Sequence, residues 1–276
     1  MNDILVAVLV LGVIAMVAAI VLYACSKKFA VKTDPRIQQV YDMLPKANCG
    51  GCGFAGCQAM AEALVKKADA HADTSLSCPV GGSDVMRQVA SCLGMDAVQG
   101  EPMVAVVRCA GCTLADVVSY DGLYTCAAVN ASGAGQHGCG NGCLGCGDCV
   151  SACSFGGISI DEQTGVPVVD ETLCTACGSC AKACPRHVIE LRPRGFKNRR
   201  VYVNCRNQDR GPVAMKLCAT SCIGCGKCAK ECPFGAIAIE NNVAYIDYTK
   251  CKSCRKCVAV CPRGAIKAVG FPVPKA

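Results

Sequence analysis

Four cysteine runs in the second half of the chain share one spacing. Each run has three cysteines separated by two residues and a fourth after three more, C-x2-C-x2-C-x3-C. Three thiolates on one tight loop can bind three corners of an iron–sulfur cube, while the fourth begins a helix that points toward a second cube. The repeated spacing therefore predicts paired [4Fe–4S] clusters. The four runs begin at Cys143, Cys174, Cys222 and Cys251.

The fourth cysteine of each run is expected to bind the cluster of the neighbouring run, as in bacterial two-cluster ferredoxins. A single C-x2-C pair also occurs in zinc ribbons, but four complete runs do not fit that alternative. Proline follows every run except the first, where Ser154 takes its place. The first two runs predict the quartets Cys143, Cys146, Cys149, Cys184 and Cys174, Cys177, Cys180, Cys153. The last two predict Cys222, Cys225, Cys228, Cys261 and Cys251, Cys254, Cys257, Cys232.

A fifth quartet lies upstream and has a different spacing, C-x2-C-x4-C-x20-C. Its first three cysteines lie on a glycine-rich loop, and the fourth returns from beyond a predicted helix. The sequence therefore predicts at least five [4Fe–4S] clusters. The fifth quartet is Cys49, Cys52, Cys57 and Cys78.

Eight cysteines remain outside these five quartets. A sixth cluster on Cys109, Cys112, Cys126 and Cys139 and a set of structural thiols are both compatible with the spacing. In another interpretation Cys139, four residues before Cys143, replaces Cys146 as a ligand. The sequence assigns no role as a ligand to Cys25, Cys92, Cys205 and Cys218.

The sequence predicts both helices and short strands around these cysteines, and hence an α+β fold. It has a single N-terminal transmembrane helix, a small helical four-cysteine [4Fe–4S] domain and two tandem two-cluster ferredoxin-like units. Short strand pairs are predicted between the cysteine runs of each unit, and residues 103–109 are a further candidate strand. The predicted boundaries are 1–26 for the anchor, 27–100 for the four-cysteine domain, 101–142 for a cysteine-bearing middle segment, 143–200 for unit 1 and 201–276 for unit 2.

Residues 4–24 form an uncharged apolar run that is long enough to cross a bilayer as a helix. Lys27 and Lys28 follow it, so the positive-inside rule places the rest of the chain in the cytoplasm. The alternative is a secretory or lipoprotein signal ending near Cys25, but the run is too long and no basic region precedes it. We therefore predict a single-pass protein of the cytoplasmic (inner) membrane with its cluster domains in the cytoplasm.

The composition limits the partners and the chemistry. Cysteine accounts for 28 of 276 residues, and its clustering indicates metal binding in a reducing compartment rather than a disulfide framework. The formal charge is +7, but the clusters carry negative charge, so the basic residues compensate for them and nucleic acid is not an expected partner. No catalytic residue and no nicotinamide or flavin site is expected, because the G-x-G-x-x-G sequences at Gly51 and Gly133 do not follow convincing strands.

The stretch LPKANCGGCGFAGCQAMAEAL resembles the four-cysteine cluster domain of the B subunit of the Rnf electron-transport complex and of corrinoid iron–sulfur proteins. The order of membrane helix, this domain, middle segment and ferredoxin units is similar to the Rnf B subunit over essentially the whole chain. The resemblance implies a subunit of an ion-translocating ferredoxin:NAD oxidoreductase. It also implies that the partners are other subunits of a membrane redox complex, the membrane, and soluble ferredoxin as electron donor.

An alternative function is a ferredoxin-like subunit of another membrane redox enzyme, such as a hydrogenase. The four-cysteine domain beside the anchor argues against it. A basic segment between the two units offers a docking site for acidic ferredoxin, or else it offsets cluster charge. This segment contains Arg192, Arg194, Lys197, Arg199 and Arg200, with Arg206 and Arg210 just beyond.

Overall fold

A computed structural model describes residues 2–28, 34–70, 76–95, 100–111, 118–133 and 135–272. The first element is a long helix, α1 (Asn2–Lys28). Within the described residues one helix is long and apolar enough to cross a membrane, and the qualifying stretch is Val8–Lys28. Its described apolar side chains are exposed, as expected for a helix that packs against lipid.

Three helices form the four-cysteine region: α2 (Pro35–Met43), α3 (Cys57–Asp69) and α4 (Gly82–Leu93). The carboxylate of Asp34 accepts a hydrogen bond from the Arg36 backbone N–H at 2.9 Å, and Pro35 takes the first helical position, so α2 begins with a polar cap. The helices pack around a shared apolar core. Its fully buried residues include Val40, Met60, Leu64 and Val89.

The remainder consists of short strands and very short helices. In the described ranges eight strands pair into four antiparallel two-stranded sheets, β1–β4, β2–β3, β5–β8 and β6–β7. The strands are β1 (Met103–Val107), β2 (Ile158–Ile160), β3 (Pro167–Val169), β4 (Ile189–Pro193), β5 (Arg200–Val203), β6 (Ile237–Glu240), β7 (Val243–Ile246) and β8 (Ile266–Val269). The helices are α5 (Cys126–Ser132), α6 (Asp148–Ser151), α7 (Ser179–Ala183), α8 (Gly211–Leu217), α9 (Lys227–Glu231) and α10 (Lys256–Ala259), and a 3-10 turn spans Phe196–Asn198.

Two of the four sheets reveal a repeat that is larger than the cysteine runs. In the first copy β1 pairs with β4, with Val104 opposite Arg192, and in the second β5 pairs with β8, with Val201 opposite Ala268. Along the sequence, two cysteine runs and one hairpin lie between the two strands of each of these sheets. Strand β1, in the predicted middle segment, therefore pairs with the end of the first cysteine-rich region. Below, "unit 1" is the part from β1 to β4 and "unit 2" the part from β5 to β8.

Two arginines of the basic segment between the units are buried, which differs from the expectation of a continuous docking patch, although Lys197 and Arg210 are exposed. Arg192 is 2% exposed, and its Nη1 donates to the carbonyl of Ile246 in unit 2 at 3.0 Å. It also forms an ion pair with Glu190. Arg200 is buried in an ion pair with Glu171. These guanidinium groups therefore join parts of the fold and do not face a partner.

Candidate metal centres

In unit 1 the second predicted quartet converges on one cavity, which Cys153, Cys174, Cys177 and Cys180 line together. The three loop cysteines precede or begin α7, and Cys153 arrives from the other run. Gly178 has a φ of +81° just before that helix, a conformation that glycine adopts without strain. The arrangement matches the predicted crossing of the fourth cysteine.

Three of the four cysteines of the first predicted quartet of unit 1 lie around a second cavity. Cys143, Cys149 and Cys184 line it, and so does Cys126 from α5, whereas Cys146 does not. Cys146 packs against the small core that contains Cys126, and its thiol donates to the carbonyl of Leu144 at 3.6 Å. The carboxylate of Asp148 holds α5 in place by accepting bonds from the Cys126 N–H at 2.9 Å and the Ala127 N–H at 3.1 Å. Cys126, rather than Cys139, is therefore the additional thiol at the Cys146 position.

Unit 2 repeats this crossing. One cavity is lined by Cys222, Cys225, Cys228 and Cys261. Around the other loop, the thiol of Cys257 interacts electrostatically with those of Cys251 and Cys254, and also with those of Cys228 and Cys232. Cys225 and Cys254 are exposed, whereas Cys228 and Cys257 are buried, so both quartets of unit 2 have one side at the protein surface.

In the four-cysteine region Cys78 interacts electrostatically with Cys52 and Cys57. Cys57 begins α3, where its backbone N–H donates to Oδ1 of Asn48 at 2.8 Å. Cys49 precedes the other ligand candidates on the same loop. Three of the four predicted thiols therefore interact, and the fourth is adjacent in sequence.

The spacing of the cysteine runs is typical of four-iron clusters rather than of single metal ions. Within the described residues no group of three or more histidine, cysteine or acidic side chains could hold one metal ion. In a four-iron cluster each thiolate binds a different iron, so the sulfur atoms lie further apart. Backbone N–H groups also donate to several thiols, as at Gly81 to Cys78 at 3.3 Å and Ala244 to Cys222 at 3.4 Å. Such bonds tune the reduction potential of a cluster.

Burial favours the protonated form of these thiols. It raises the pKa of the Cys180 thiol to about 12, and neighbouring Cys174 and Cys177 contribute to the same rise. Burial likewise raises the pKa of Cys143 to about 12. Because cluster ligands are thiolates, assembly of a cluster must release these protons.

The cysteines predicted to hold a sixth cluster are not all brought together. Cys109 and Cys139 line one cavity, but Cys126 does not line it, and Cys112 lies outside the described residues. Cys205 and Cys218, to which the sequence assigns no role, line the same cavity as Cys109 and Cys139. Helix α5 accounts for the difference, because it holds Cys126 beside Cys146.

The four-cysteine region contacts unit 1 close to a quartet. A Cβ atom added to Gly51 would lie 2.5 Å from the carbonyl oxygen of Cys177. The Nζ of Lys182 donates to the carbonyl of Gly50 at 3.0 Å. Only glycine permits this approach, and it brings the loop of Cys52 against the loop of Cys177.

This fold and these cysteine sites define an iron–sulfur protein with several [4Fe–4S] clusters. In agreement, a family model described as a 4Fe-4S dicluster domain matches residues 142–188, 173–236 and 221–265. A model named FeS, for an Fe–S cluster, matches residues 44–73.

Three curated relatives resemble most of the chain. The B subunit of the Na(+)-translocating ferredoxin:NAD(+) oxidoreductase complex of Acetobacterium woodii is 44% identical over 91% of this chain and 73% of that protein. The B subunit of the proton-translocating ferredoxin:NAD(+) oxidoreductase complex of Clostridium ljungdahlii is 43% identical over 90% of this chain and 85% of that protein. The B subunit of the ion-translocating oxidoreductase complex of Methanosarcina acetivorans is 41% identical over 87% of this chain and 89% of that protein.

The chain belongs to the family of B subunits of Rnf-type ion-translocating ferredoxin:NAD oxidoreductase complexes. It is accordingly an iron–sulfur electron-relay subunit of an ion-translocating oxidoreductase, and other subunits of that complex are its partners. The predicted family resemblance is confirmed. The three relatives do not support the alternative function, a hydrogenase subunit. The apolar helix α1 agrees with a membrane protein.

Proposed function

We propose that the chain accepts electrons from reduced soluble ferredoxin and passes them through at least five [4Fe–4S] clusters toward subunits that reduce NAD. When bound, each cluster gains and loses one electron. The convergence of the thiols in the predicted crossing quartets of both units carries this proposal. The quartets are those predicted from the sequence, including Cys49, Cys52, Cys57 and Cys78.

The proposed arrangement is an anchor, the four-cysteine domain and two ferredoxin-like units in tandem. Helix α1 crosses the cytoplasmic membrane once, with Lys27 and Lys28 on the cytoplasmic side. The cluster domains then lie in the cytoplasm, where ferredoxin is available. Pairing of β1 with β4 supports the inclusion of the middle segment in the first unit.

Unit 2 is the proposed entry point for electrons from ferredoxin. Its Cys225 and Cys254 are exposed, so an incoming cluster can approach these quartets more closely than the buried ones. Basic side chains surround the two cysteines at the surface, and positive charge steers an acidic partner and raises the association rate. These basic residues are Lys227, Lys230, Lys252, Arg255 and Lys256.

The test is the rate of electron uptake from reduced ferredoxin by the full chain, measured at increasing salt. Lys252→Glu/Lys256→Glu should slow uptake strongly at low ionic strength, and the deficit should shrink as salt rises. Lys66→Glu/Arg87→Glu is the matched control, because it reverses two exposed charges in the four-cysteine region. Equal uptake by both variants, with complete clusters, would place the docking site elsewhere. A chain whose clusters cannot be reduced by ferredoxin at any salt would contradict the relay itself.

A further inference from the structure

Between the two units lies a cavity of about 250 Å³, and Cys143 is the one predicted quartet cysteine of the described residues that lines it. A single buried water needs only about 10–15 Å³ by a comparable measure, so the space accommodates a much larger group. Within the described residues no carboxylate lines it, but four thiols outside the quartets do. They are those of Cys109, Cys139, Cys205 and Cys218.

The four cysteines are two copies of one pair. Cys109 lies two residues after the end of β1, and Cys205 lies two residues after the end of β5. Cys139 precedes Cys143 by four residues, and Cys218 precedes Cys222 by four. Each unit therefore contributes an equivalent pair, and the two pairs meet in one cavity.

The backbone groups that act on these thiols repeat in the same way. The backbone N–H groups of Gly111 and Cys143 act on the Cys109 thiol in the direction that lowers its pKa. Those of Asn207 and Cys222 act on the Cys205 thiol in the same direction, and the Asn207 N–H donates to it at 3.4 Å. In both copies these groups belong to the residue two positions later and to the first cysteine of the next run. N–H···S bonds of this kind also occur at the predicted ligands of the five quartets, as at Cys78 and Cys222.

Arginine side chains hold the backbone of three of the four cysteines. Arg186 Nη1 donates to the Cys139 carbonyl at 3.1 Å, Arg108 Nη2 to that of Cys205 at 3.3 Å, and Arg263 Nη2 to that of Cys218 at 2.9 Å. Arg108 also pairs with Glu190 at 3.4 Å, but Arg206 lines the cavity as well, and the described part of its wall carries no carboxylate, so the surroundings are positive. That environment suits a group of net negative charge, such as a cluster with four thiolates.

A buried side chain at the cavity has a hydrogen-bond donor that the described part of the protein does not use. Asn207 is 2% exposed, and its Oδ1 accepts from the backbone N–H of Asp209 at 3.1 Å. Its Nδ2 has no hydrogen-bond partner among the described residues. A buried donor without a partner is unfavourable, so an acceptor inside the cavity is expected. The sulfur of a cluster would be such an acceptor.

We propose that Cys109, Cys139, Cys205 and Cys218 bind a further [4Fe–4S] cluster at the boundary between the two units. A structural zinc ion on four cysteines requires thiols that converge on one point. The described residues contain no such converged group, and the cavity of about 250 Å³ has room for a group larger than one ion. The proposal concerns cysteines outside the five quartets, so it can fail while the proposed relay stands.

The position gives this cluster a role between the units. Cys143, a predicted ligand in unit 1, lines the same cavity, and the backbone N–H of Cys222, a predicted ligand in unit 2, acts on the Cys205 thiol in the direction that lowers its pKa. The site therefore adjoins one quartet of each unit. It receives one electron from the reduced cluster of one unit and gives one electron to the oxidised cluster of the other, without any other reactant.

The test is the number of iron, sulfide and zinc atoms per full-length chain, purified and reconstituted without oxygen. The wild type should hold about 24 iron atoms in six clusters, since each cluster has four. Cys205→Ser/Cys218→Ser should lose four iron and four sulfide. Cys92→Ser is the matched control, because Cys92 is an exposed thiol on α4 and its replacement should leave the count unchanged.

Three results would overturn the proposal. The first is a count of about 20 iron atoms that the double variant does not alter, and the second is loss of zinc rather than iron. The third is loss of four iron from Cys112→Ser but not from the double variant. A count that fails to reach about 20 in the wild type would instead contradict the five quartets and hence the proposed function.

Two further measurements apply if the double variant does not accumulate. The native mass of the intact wild-type chain should correspond to six clusters, and a mass for five would overturn the proposal. Asn207→Leu should keep all six clusters but shift one of their potentials to a more negative value, because a hydrogen bond to sulfur favours the reduced state. Six unchanged potentials would contradict the assigned role of Asn207 and the position of the cluster.

Discussion

The contact between Gly51 and Cys177 is expected to control how the four-cysteine region rests on unit 1. In Gly51→Ala the new methyl carbon would lie 2.5 Å from the Cys177 carbonyl oxygen. Even favourable C–H···O contacts keep these atoms about 3.3 Å apart, so the overlap is about 0.8 Å. Both partners are backbone or attached directly to it, and neither can rotate away.

The energetic effect follows from this overlap. Forcing an extra carbon into a packed contact destabilises it by about 1–3 kcal/mol. If separation of the two surfaces relieves the overlap, the open state becomes about 5- to 150-fold more populated, since about 1.4 kcal/mol is a factor of ten. Electron transfer between the cluster proposed on the Cys52 loop and the cluster proposed on the Cys177 loop should therefore become slower.

Amide hydrogen exchange of the full, cluster-loaded chain measures this change. Exchange in residues 50–56 and 175–179 should accelerate by that factor in Gly51→Ala. Gly100→Ala is the control, because a Cβ at Gly100 meets nothing within 4 Å and its φ is not in the left-handed region. Lys182→Met, which removes the bond to the Gly50 carbonyl, should produce a smaller acceleration in the same segments.

Unchanged exchange in both segments of Gly51→Ala, with a wild-type iron content, would refute this reasoning. The contact would then be loose enough to absorb a methyl group. Loss of four iron atoms would show that the substitution disturbed Cys52 itself, and the Lys182→Met result would then decide whether the two surfaces are coupled.

Three other predictions concern the whole chain. Arg192→Ala should lower the free energy of unfolding by about 3–5 kcal/mol, because it breaks a buried ion pair and leaves the Ile246 carbonyl unpaired. Urea titration measures this change. The control, Arg87→Ala, removes an exposed ion pair and should change the free energy of unfolding by less than about 1 kcal/mol. At least about 20 iron atoms per chain are expected from the five quartets, and a plateau near 16 in fully reconstituted protein would mean that one quartet is empty. A reporter fused after Ala276 should be active in the cytoplasm, and activity only outside the inner membrane would reverse the proposed topology.

The cysteine spacing predicts much of the site because covalent geometry alone limits which thiols of a run can reach one cube. The crossing of Cys153 and Cys184 follows from that rule, and the cavities agree with it. The hairpins β2–β3 and β6–β7 and the start of α2 at Pro35 are predictable as well. These are local features, in which neighbouring residues determine the structure.

Features that depend on distant parts of the chain could not be predicted from local spacing. Nothing near Cys126 indicates that Asp148 caps its helix and holds it beside Cys146. The basic segment suggested an exposed patch, since charge alone does not show that Arg192 and Arg200 pair with glutamates inside the protein. The Arg199→Glu/Arg200→Glu change would therefore disturb the fold and could not test docking.

One signal for the unassigned cysteines is present in the sequence. Cys139 and Cys218 are separated by 79 positions, as are Cys143 and Cys222. Both cysteines therefore belong to the internal repeat. That equivalence points to a shared site only when β1 and β5 are recognised as equivalent strands. These strands are followed by Cys109 and Cys205, which line the same cavity as Cys139 and Cys218.

The uneven exposure of the cysteines has a consequence for how the protein withstands oxygen. Cys225 and Cys254 reach the surface in unit 2, whereas the equivalent Cys146 and Cys177 of unit 1 are half-buried. Oxidants and chelators reach exposed thiolates and their iron first. In the isolated chain damage in air should therefore begin in unit 2 and proceed inward, so that the side of the protein best placed to exchange electrons is also the first to be lost.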